Sequence, residues 1–591
     1  MVEKQEKSPK KFFRRRRRPQ FKKISGGFEI AQKSIHAPKL RIIPLGGLEE
    51  VGRNCTVFEC GEDLIIVDMG LQFPEEDMPG IDYIIPNLSY LRGKEKNIRG
   101  VIITHGHYDH IGGIPHLMGK IGNPVIYTAA LTAGIIKKRQ EEYRQAPPLK
   151  IQIIKKLGEC IQLGRNFVFE PFHINHNIFD AFGVLLRTPH GNVVMTGDFK
   201  LDATPVNDEP ADLDLIASYG TRGVLALMSD STSAESPGHQ LSERQVGEEL
   251  GKIFATAKGR IIVGTFSSLL TRAQQLITLA EQHGRRVLIV GRSMVQNVEL
   301  AHKLGYLKIK PGTIIEDKEF KRLPHERVVV VCTGAQGEKN AALMRIANGD
   351  DRLVEINKDD VVIFSSSVIP GNERTVQNLK DTLVRKGAKV IHYQMMDVHA
   401  GGHAKQEDLK EMMRLLQPKY FIPIHGNRFL LQTHAELAES VGIPKDNIFV
   451  ADNGQVIEFD ASGARLTEET AVTDYVMVDG LGVGDVSHIV LRDRRMLAED
   501  GMFVVIVTID TKTGELVGNP DIISRGFVYL RESKELIEKA RSKVKKMLRD
   551  SDPNSPAFKD YVKNRIRNEI GEFLFSQTKR RPMILPVLIE V

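Results

Sequence analysis

The chain has 591 residues, of which 41% are hydrophobic and 27% charged, and this is the composition of a globular protein with about two to four domains. No apolar run reaches roughly eighteen residues, so no membrane span is predicted, and no apolar segment follows the basic N-terminus, so a secretory signal peptide is not expected. The four cysteines are too few for a disulfide scaffold in so long a chain and favour a reducing, cytoplasmic compartment.

The positive charge is concentrated at the N-terminus. Residues 1–23 contain eleven Lys and Arg against two Glu, and the total charge of +7 less the +9 of this block leaves −2 for the other 568 residues. Because like charges repel and little apolar area is available, residues 1–37 are predicted to form a disordered tail. The block, with Phe12, Phe13 and Phe21, also fits an arm that contacts nucleic-acid phosphates and stacks on bases, and the two interpretations are compatible.

Three predicted strands open the ordered part of the chain: Arg41–Leu45, Leu64–Asp68 and Val101–Thr104. The second ends in a carboxylate and the third runs directly into a cluster of histidines. Strands that end in ligand-type residues are typical of layered α/β folds, which present their chemistry at one edge of a sheet.

Short β-branched runs and helices then alternate between residues 241 and 396, a pattern that predicts a separate, parallel, doubly wound domain. Its predicted strands are Arg260–Gly264, Arg286–Val290, Arg327–Thr333 and Val361–Ser365, and its predicted helices are Leu269–Gln282 and Asn372–Lys386. Ligand-type residues return at about 397–430, so the first domain (38–240) is expected to be interrupted and then completed by residues 397–465.

A third unit, a linker and a small α/β domain, is predicted over residues 466–591. Phe503–Ile509 and Met583–Val591 are its predicted strands. A helix is predicted to begin after Ser533, a suitable N-cap, because the apolar residues that follow fall on one helical face.

The segment Thr104–His110 (THGHYDH) contains three histidines and one aspartate within six residues. Alternate residues of an extended segment point the same way, so His105 and His107 can bind one metal ion. The chain then turns, which lets Asp109 and His110 face a second ion. Imidazole and carboxylate ligands suit zinc, with manganese as the alternative.

This H-x-H-x-D-H array resembles the signature of the metallo-β-lactamase superfamily, whose fold is a four-layer αβ/βα sandwich. The resemblance implies an earlier carboxylate that orients a ligand, a later histidine, a later aspartate and a last histidine, which are here Asp68, His176, Asp198 and His425. His173 is the alternative for the later histidine. The resemblance also implies two divalent ions and the following division of ligands: His105, His107 and His176 on the first, Asp109, His110 and His425 on the second, and Asp198 between them. Water between ions about 3.5–4 Å apart would be the nucleophile for attack on phosphorus.

The domain predicted between Asp198 and His425 resembles the β-CASP insertion of nucleic-acid-processing members. Short sequence motifs similar to those of the ribonuclease J family extend this resemblance from about residue 40 to the C-terminus. They are DSTSAE at 230–235, TGAQGE at 333–338, IPGNE at 369–373, HAGGHA at 399–404 and SRGFVY at 524–529. The implied fold is an αβ/βα sandwich with an inserted doubly wound β-CASP domain and a small C-terminal α/β domain.

The family resemblance implies a metal-dependent ribonuclease that degrades RNA 5′→3′ from a 5′-monophosphate end, with endonuclease capacity, in rRNA and other RNA maturation and in mRNA decay. It implies single-stranded RNA as substrate, a homodimer or tetramer formed through the C-terminal domain, a place in an RNA-degradation assembly, and no membrane. The implied catalytic residues are Asp198, His403, which would protonate the leaving oxygen or bind the scissile phosphate, and Asp68, which acts through its ligand. The implied 5′-phosphate pocket consists of His399, Ala400, Gly401, Gly402 and His403, with Ser231 and Ser233 facing it.

Two other hypotheses stay open. One is a different nuclease on the same fold, either an RNA-processing endonuclease or a DNA-acting β-CASP enzyme. The C-terminal motifs similar to those of ribonuclease J argue against it. The other is an RNA-binding subunit of a degradation assembly, and the complete ligand set argues against that. The chain departs from the family's motifs at Tyr108, where an acidic residue is common, at Asn177 and Phe179, where Ser and Pro are usual, and at Gly401, where Ser is usual.

Overall fold

The computed structural model describes residues 37–75, 77–369, 371–486, 488–510, 513, 515–528, 533–549 and 558–591. The predicted basic arm lies outside these residues, as do Pro370 and Tyr529 of the motifs named above. The strands are β1 Leu40–Gly46, β2 Cys55–Cys60, β3 Asp63–Val67, β4 Tyr83–Ile85, β5 Ile98–Ile102, β6 Ile126–Thr128, β7 Ile151–Ile153, β8 Ile161–Leu163, β9 Phe167–His173, β10 Phe182–Thr188, β11 Gly191–Met195, β12 Val224–Asp230, β13 Ile261–Gly264, β14 Arg286–Val290, β15 Val328–Cys332, β16 Val361–Phe364, β17 Lys389–His392, β18 Tyr420–Ile424, β19 Gln455–Asp460, β20 Gly463–Thr470, β21 Val476–Asp479, β22 Gly482–Val483, β23 Met502–Ile509, β24 Asp521–Arg525 and β25 Met583–Glu590. The α-helices are α1 Tyr108–Ile111, α2 Ile114–Leu117, α3 Ala130–Glu141, α4 Leu213–Arg222, α5 Glu243–Thr256, α6 Leu270–Gln282, α7 Arg292–Lys303, α8 Asp317–Phe320, α9 Ala342–Asn348, α10 Glu373–Arg385, α11 Gln406–Leu416, α12 Arg428–Ser440, α13 His488–Glu499, α14 Lys534–Arg549 and α15 Phe558–Thr578.

Two large sheets face each other across one apolar core. Their strand orders are β20-β19-β1-β2-β3-β5-β6-β7 and β18-β12-β11-β10-β9-β8. Side chains from both sheets, among them Phe58, Ile65, Phe169 and Met228, fill the space between them. Helices α1 and α3 pack on the outer face of the first sheet, and α4, α11 and α12 on that of the second. These four layers are the predicted αβ/βα sandwich, and the predicted fold class is confirmed.

The chain leaves the sandwich after β12 and returns to it with α11 and β18. These two strands are parallel neighbours, with Asp230 opposite Ile424. The inserted residues therefore loop out between two adjacent strands without breaking the sheet. As a result, the residues that follow each strand, including Ser231 and His425, lie at the same sheet edge.

The inserted domain is the predicted parallel, doubly wound unit. Its sheet has the order β14-β15-β13-β16-β17, and every pairing in it is parallel. On β15, Val329 and Val331 face one hydrophobic cluster, whereas Val328 and Val330 face another. Because helices cover both faces, the strand reads as a continuous apolar run rather than as an alternating one.

A buried ion network joins the sandwich to the insert. The Lys200 ammonium lies 3.1 Å from Glu243 Oε1, and Arg272 Nη2 donates to Glu243 Oε2 at 2.7 Å. Burial alone would raise the pKa of Glu243, but Arg272 and Lys200 outweigh it and lower the pKa to about 2. Arg272 Nη1 also donates to the carbonyl of Val398, at the start of the return segment. The network therefore connects Lys200, two residues after Asp198, to Glu243 near the start of the insert and to Val398 just after its end.

The C-terminal domain is built on a third sheet, with the order β24-β23-β25. Helices α14 and α15 cover one face, where Phe503, Val505 and Val507 are buried. The other face carries exposed Ile523, Leu585 and Val587. No helix among the described residues combines the length and apolar character that crossing a bilayer requires.

Candidate active site

The predicted metal ligands gather where strands from both large sheets end. Asp68 follows β3, the His105–His110 segment follows β5, Asp198 follows β11, and His425 follows β18. Backbone hydrogen bonds hold these ends together, from Met69 N to His110 O and from His425 N to Gly47 O, both at 2.8 Å. Asp68 and His425 have left-handed backbone angles, with φ of 63° and 53°. Non-glycine residues rarely adopt this conformation, and it is enriched at functional sites.

Three histidine nitrogens converge in the first group. His107 Nδ1 lies 3.1 Å from His105 Nε2 and 3.0 Å from His176 Nε2. Asp198 Oδ2 lies 3.7 and 3.8 Å from the nitrogens of His105 and His176. All four donor atoms lie within 4.8 Å of one another.

The second group shares Asp198 with the first. Asp198 Oδ2 lies 3.2 Å from His110 Nε2, and Asp198 Oδ1 lies 2.9 Å from His425 Nδ1. Asp109 Oδ2 lies 3.4 Å from both His110 Nε2 and His425 Nε2. Asp198 thus stands between the two groups, as the predicted division of ligands requires.

Bound divalent cations explain the geometry of these donors better than hydrogen bonds among the side chains do. Three facing imidazole nitrogens about 3 Å apart cannot all be satisfied by hydrogen bonds, whereas zinc ligands at 2.0–2.1 Å in a tetrahedron lie about 3.3 Å apart. The buried Nε2 atom of His425 faces Asp109 Oδ2 at 3.4 Å but makes no well-aligned hydrogen bond among the described residues. Burial lowers the pKa of His107 to about 4 and also lowers the pKa of His105 and His176, so these imidazoles are neutral and able to bind a cation.

Other side chains set the orientation of the histidines. His110 Nδ1 donates to Asp68 Oδ2 at 2.8 Å, and the Thr104 backbone N–H donates to Asp68 Oδ1 at 2.9 Å. His176 Nδ1 donates to the carbonyl of Gly402 at 2.7 Å. In His110 and His176 these bonds leave Nε2 facing the cluster. Asp68 thus contacts a histidine of the second group without itself belonging to any of the donor groups found among the described residues.

The sequence prediction missed Asp230 as a functional residue. His403 Nδ1 donates to Asp230 Oδ2 at 2.8 Å, and the two form a third donor group with Asp198 and His425. Burial opposes ionisation of Asp230, but His403 outweighs it and holds the pKa of Asp230 well below its usual range. The sequence contained a signal for Asp230, because β12 ends in this carboxylate just as the predicted strand Leu64–Asp68 ends in Asp68.

The rival histidine is placed elsewhere. His173 Nε2 lies 2.7 Å from the carbonyl of Glu209 and 3.5 Å from Asp208, away from both ligand groups. His176, three residues further along the chain, is the histidine that joins the first group.

The segment His399–His403 lies against the first ligand group, with the rings of His403 and His176 5.2 Å apart. The ring nitrogen Nδ1 of His399 is buried and has no hydrogen-bond partner within the described part of the chain, and burial lowers the pKa of His399 to about 3. The Ser231 hydroxyl lies 3.0 Å from Nδ1 of the buried His434. The placement of Ser231 in the phosphate pocket stays a prediction. Ser233 is half-buried two residues further on.

Gly402 is required by the position of His176. A methyl group added at Gly402 would lie 2.6 Å from the ring of His176 and 2.5 Å from the amide of Asn177. We expect Gly402→Ala to displace the His176 ring and to lower the cleavage rate about 10- to 100-fold, as loss of a group that orients a metal ligand does. Gly251→Ala in α5 is the control, since its methyl group would make an ordinary contact with the Leu279 side chain at 3.6 Å. Steady-state rates and bound metal content measure both variants, and equal losses in the two would contradict the explanation.

The loop after His176 ends in a carboxylate that joins the sandwich to the insert. Asp180 Oδ2 accepts hydrogen bonds from Leu131 N at 2.7 Å and from the hydroxyl of Tyr306 at 2.8 Å. Leu131 lies in α3, at the start of that helix, whereas Tyr306 belongs to the insert. Burial raises the pKa of Asp180 to about 6 in spite of these donors.

This raised pKa predicts a pH dependence of stability. The native state keeps the Asp180 proton that the unfolded chain releases near pH 4, so its contribution to stability is full below pH 4 and is lost as the pH rises through about 6. The Tm of the wild type should therefore fall relative to that of Asp180→Asn between pH 5 and 7. Differential scanning calorimetry checks this, with Asp446→Asn at an exposed position as the control. Parallel Tm curves for the wild type and Asp180→Asn would refute the prediction.

Four family models match successive parts of the chain. Residues 48–239 match the metallo-beta-lactamase superfamily and residues 258–383 the ribonuclease J beta-CASP domain. Residues 389–450 match the Zn-dependent metallo-hydrolase RNA specificity domain, and residues 489–591 match the ribonuclease J C-terminal domain.

Curated relatives align over most of the chain. Ribonuclease J 1 of Streptococcus pyogenes serotype M3 is 41% identical over 556 residues, covering 94% of this chain and 98% of the relative. Ribonuclease J2 of Bacillus subtilis is 37% identical over 559 residues, covering 95% and 100%. Ribonuclease J of Synechocystis sp. is 38% identical over 506 residues, covering 86% and 78%. A crystal structure of a protein of unknown function from Enterococcus faecalis V583 shares the fold, with a TM-score of 0.52 and 16% identity over 71% of this chain and 100% of that one.

Proposed function

The chain belongs to the ribonuclease J family, and from this premise we propose that it removes nucleotides 5′→3′ from RNA with a 5′-monophosphate end and also cuts RNA internally. It is a metal-dependent ribonuclease, a hydrolase of RNA phosphodiester bonds. One observation supports the proposal above others: donors from both sides of the insert form two adjoining groups that share Asp198. We place this activity in RNA maturation, including rRNA processing, and in mRNA decay.

Two divalent ions are the proposed cofactors. His105, His107 and His176 would hold one, Asp109, His110 and His425 the other, and Asp198 both. We propose zinc, because neutral imidazole and carboxylate donors suit it, with manganese as the alternative. When bound, the ions supply Lewis acidity and lower the pKa of water, which is the chemistry that phosphodiester hydrolysis needs.

His403 is the proposed proton donor to the leaving oxygen. Its Nδ1 is bonded to Asp230, so the other ring nitrogen is free to hold a proton for the substrate. Its ring lies 5.2 Å from that of His176 and 5.8 Å from that of His425, at the border of the two ligand groups. A phosphodiester held at the ions would therefore be within reach of His403.

The His399–His403 segment is the proposed pocket for the terminal 5′-phosphate. His399 supports this role with a buried nitrogen that no described residue hydrogen-bonds, and the two glycines support it because they let the backbone approach a phosphate. Matched RNAs with 5′-monophosphate and 5′-triphosphate ends, labelled at the 3′ end, test the proposal by product sizing. Mononucleotides from the monophosphate RNA alone would support it. Internal fragments alone would indicate an endonuclease, and the absence of any cleavage would reject the function.

We propose domain boundaries at 38–240 and 397–465 for the sandwich, 241–396 for the insert, and 466–591 for the linker and C-terminal domain, after a basic tail at 1–37. The separate sheets and cores support this division. We also propose a cytoplasmic location, which the free thiols of Cys55, Cys60, Cys160 and Cys332 favour.

The C-terminal domain is the proposed site of self-association. The open face of its sheet carries Ile523, Leu585, Val587 and Ile589, each 38–45% exposed. A flat apolar sheet face of this kind is suited to pairing with its own copy. Sedimentation of the full chain tests this: a dimer or tetramer supports the proposal, and a monomer at micromolar concentration contradicts it.

A further inference from the structure

Two exposed aromatic residues are close in the backbone to the ligand-bearing segment His105–His110 and have no role in the chemistry described so far. Tyr108 is 42% exposed and Phe73 is 70% exposed. Tyr108 stands between two predicted ligands, His107 and Asp109, and consecutive Cα atoms are about 3.8 Å apart. Its ring is therefore attached to the backbone that carries the ligands.

Tyr108 is the first residue of α1, and Phe73 lies in a loop whose backbone is hydrogen-bonded to that helix start. The Leu71 N–H donates to the carbonyl of Tyr108 at 2.9 Å, and Phe73 follows two residues later. Between them, Gln72 exchanges two backbone hydrogen bonds with Ile84, at 2.9 and 2.8 Å. The backbone that leads into Phe73 is thus fixed by the residues before it, next to that of Tyr108.

A buried arginine supports the Tyr108 ring. The guanidinium carbon of Arg139 lies 4.5 Å from the centroid of that ring, and 5.6 and 5.5 Å from the ring centroids of Tyr83 and Tyr143. Arg139 is 8% exposed, and its guanidinium also faces the carbonyl of Gly112 at 3.4 Å. The Tyr108 ring is therefore held against a fixed cation, while the residue stays 42% exposed.

The position of the pair indicates what covers it. A partner protein seated on Tyr108 would block the approach to the ligands on either side of it, whereas a substrate must come to this place. Proteins that bind single-stranded nucleic acid stack successive bases on exposed aromatic rings, and such stacking tolerates any base. A nuclease that acts on many sequences needs this kind of contact.

We propose that Tyr108 and Phe73 form a base-stacking platform for the nucleotides that flank the scissile phosphodiester. This inference rests on the proposed function, and it adds a binding site for nucleobases to a centre that otherwise contacts only phosphate. Tyr108 would stack one base, with Arg139 beneath it, and Phe73 would take a neighbouring base.

The test compares normal and abasic RNA. Wild type, Tyr108→Ala, Phe73→Ala and Tyr108→Phe are assayed on a 5′-monophosphate single strand and on the same strand with abasic sites in its first nucleotides. We expect Tyr108→Ala to raise KM roughly 5- to 150-fold on the normal strand, with a smaller change in kcat, and Phe73→Ala to act in the same direction. Tyr108→Phe should retain the wild-type KM. On abasic RNA, wild type and alanine variants should be equal. Tyr561→Ala, which removes a 54% exposed tyrosine of α15, is the control.

Several results would overturn the inference: equal penalties on both RNAs, no penalty on either, or a Tyr108→Phe variant as weak as Tyr108→Ala. A changed oligomeric state in Tyr108→Ala without a base-dependent effect would assign the surface to a second copy instead. If the wild type fails to cleave RNA at all, the proposed function fails, and equilibrium binding of the two RNAs decides the stacking separately. A base-dependent loss of affinity in Tyr108→Ala would then uphold the platform, and unchanged affinity would reject it.

Discussion

Replacing Asp198 with alanine is expected to lower the rate of RNA cleavage by about 1,000-fold or more. This carboxylate is the one residue shared by all three donor groups among the described residues, and it is 2% exposed. Removing it takes a ligand from both proposed ion positions at once. Metal-ion catalysis supplies several kcal/mol of transition-state stabilisation, and each 1.36 kcal/mol corresponds to a tenfold change in rate.

The measurement combines initial rates on 3′-labelled 5′-monophosphate RNA with the metal content of the purified chain. Asp198→Ala should lose bound ions together with activity. Asp208→Ala is the control, because Asp208 accepts a hydrogen bond from the Asn175 side chain near the site but belongs to none of the donor groups. If Asp198→Ala kept both its metal and its rate, the shared-ligand arrangement would be wrong.

Replacing His403 with alanine is expected to slow RNA cleavage about 100- to 10,000-fold, the usual contribution of a positioned general acid. The reason is its geometry, since the bond from Nδ1 to Asp230 fixes the ring at the border of the ligand groups. Asp230→Asn should cause a smaller loss, because the ring would remain but its orientation would be less well held.

A substrate with an activated leaving group separates the two roles predicted for His403. The nitrophenolate of bis(p-nitrophenyl) phosphate leaves without a proton, so a general acid should matter little for it. A large loss on RNA with a small loss on this ester would establish proton donation. Equal losses on both would indicate that His403 binds the scissile phosphate instead. His283→Ala, at an exposed histidine of the insert, should leave both rates unchanged.

Local patterns predicted much of the fold. The β-branched run Arg327–Thr333 predicted a strand of a parallel, doubly wound sheet, and the observed strand is Val328–Cys332. The observed helices Leu270–Gln282 and Glu373–Arg385 begin and end within one residue of their predicted bounds. These features depend on neighbouring residues along the chain and on backbone geometry, which the sequence displays directly. The same holds for His105–His110, where one strand end and one turn present all the donors.

Tertiary structure alone decided what meets this array. His176, Asp198 and His425 were assigned by resemblance, and their convergence depends on β12 pairing with β18 across the whole insert. The pairing of Asp230 with His403 and the turn of Ser231 toward His434 went unpredicted, because hydrogen-bond partners far apart in sequence leave no local pattern. Likewise, the sequence showed Tyr108 only as an unusual residue at its position. Its support by Arg139, 31 positions further on, arises from the packing of α3 beside the ligand loop. Short-range geometry therefore determined the elements and the first ligands, whereas the packing of distant segments determined the completed site.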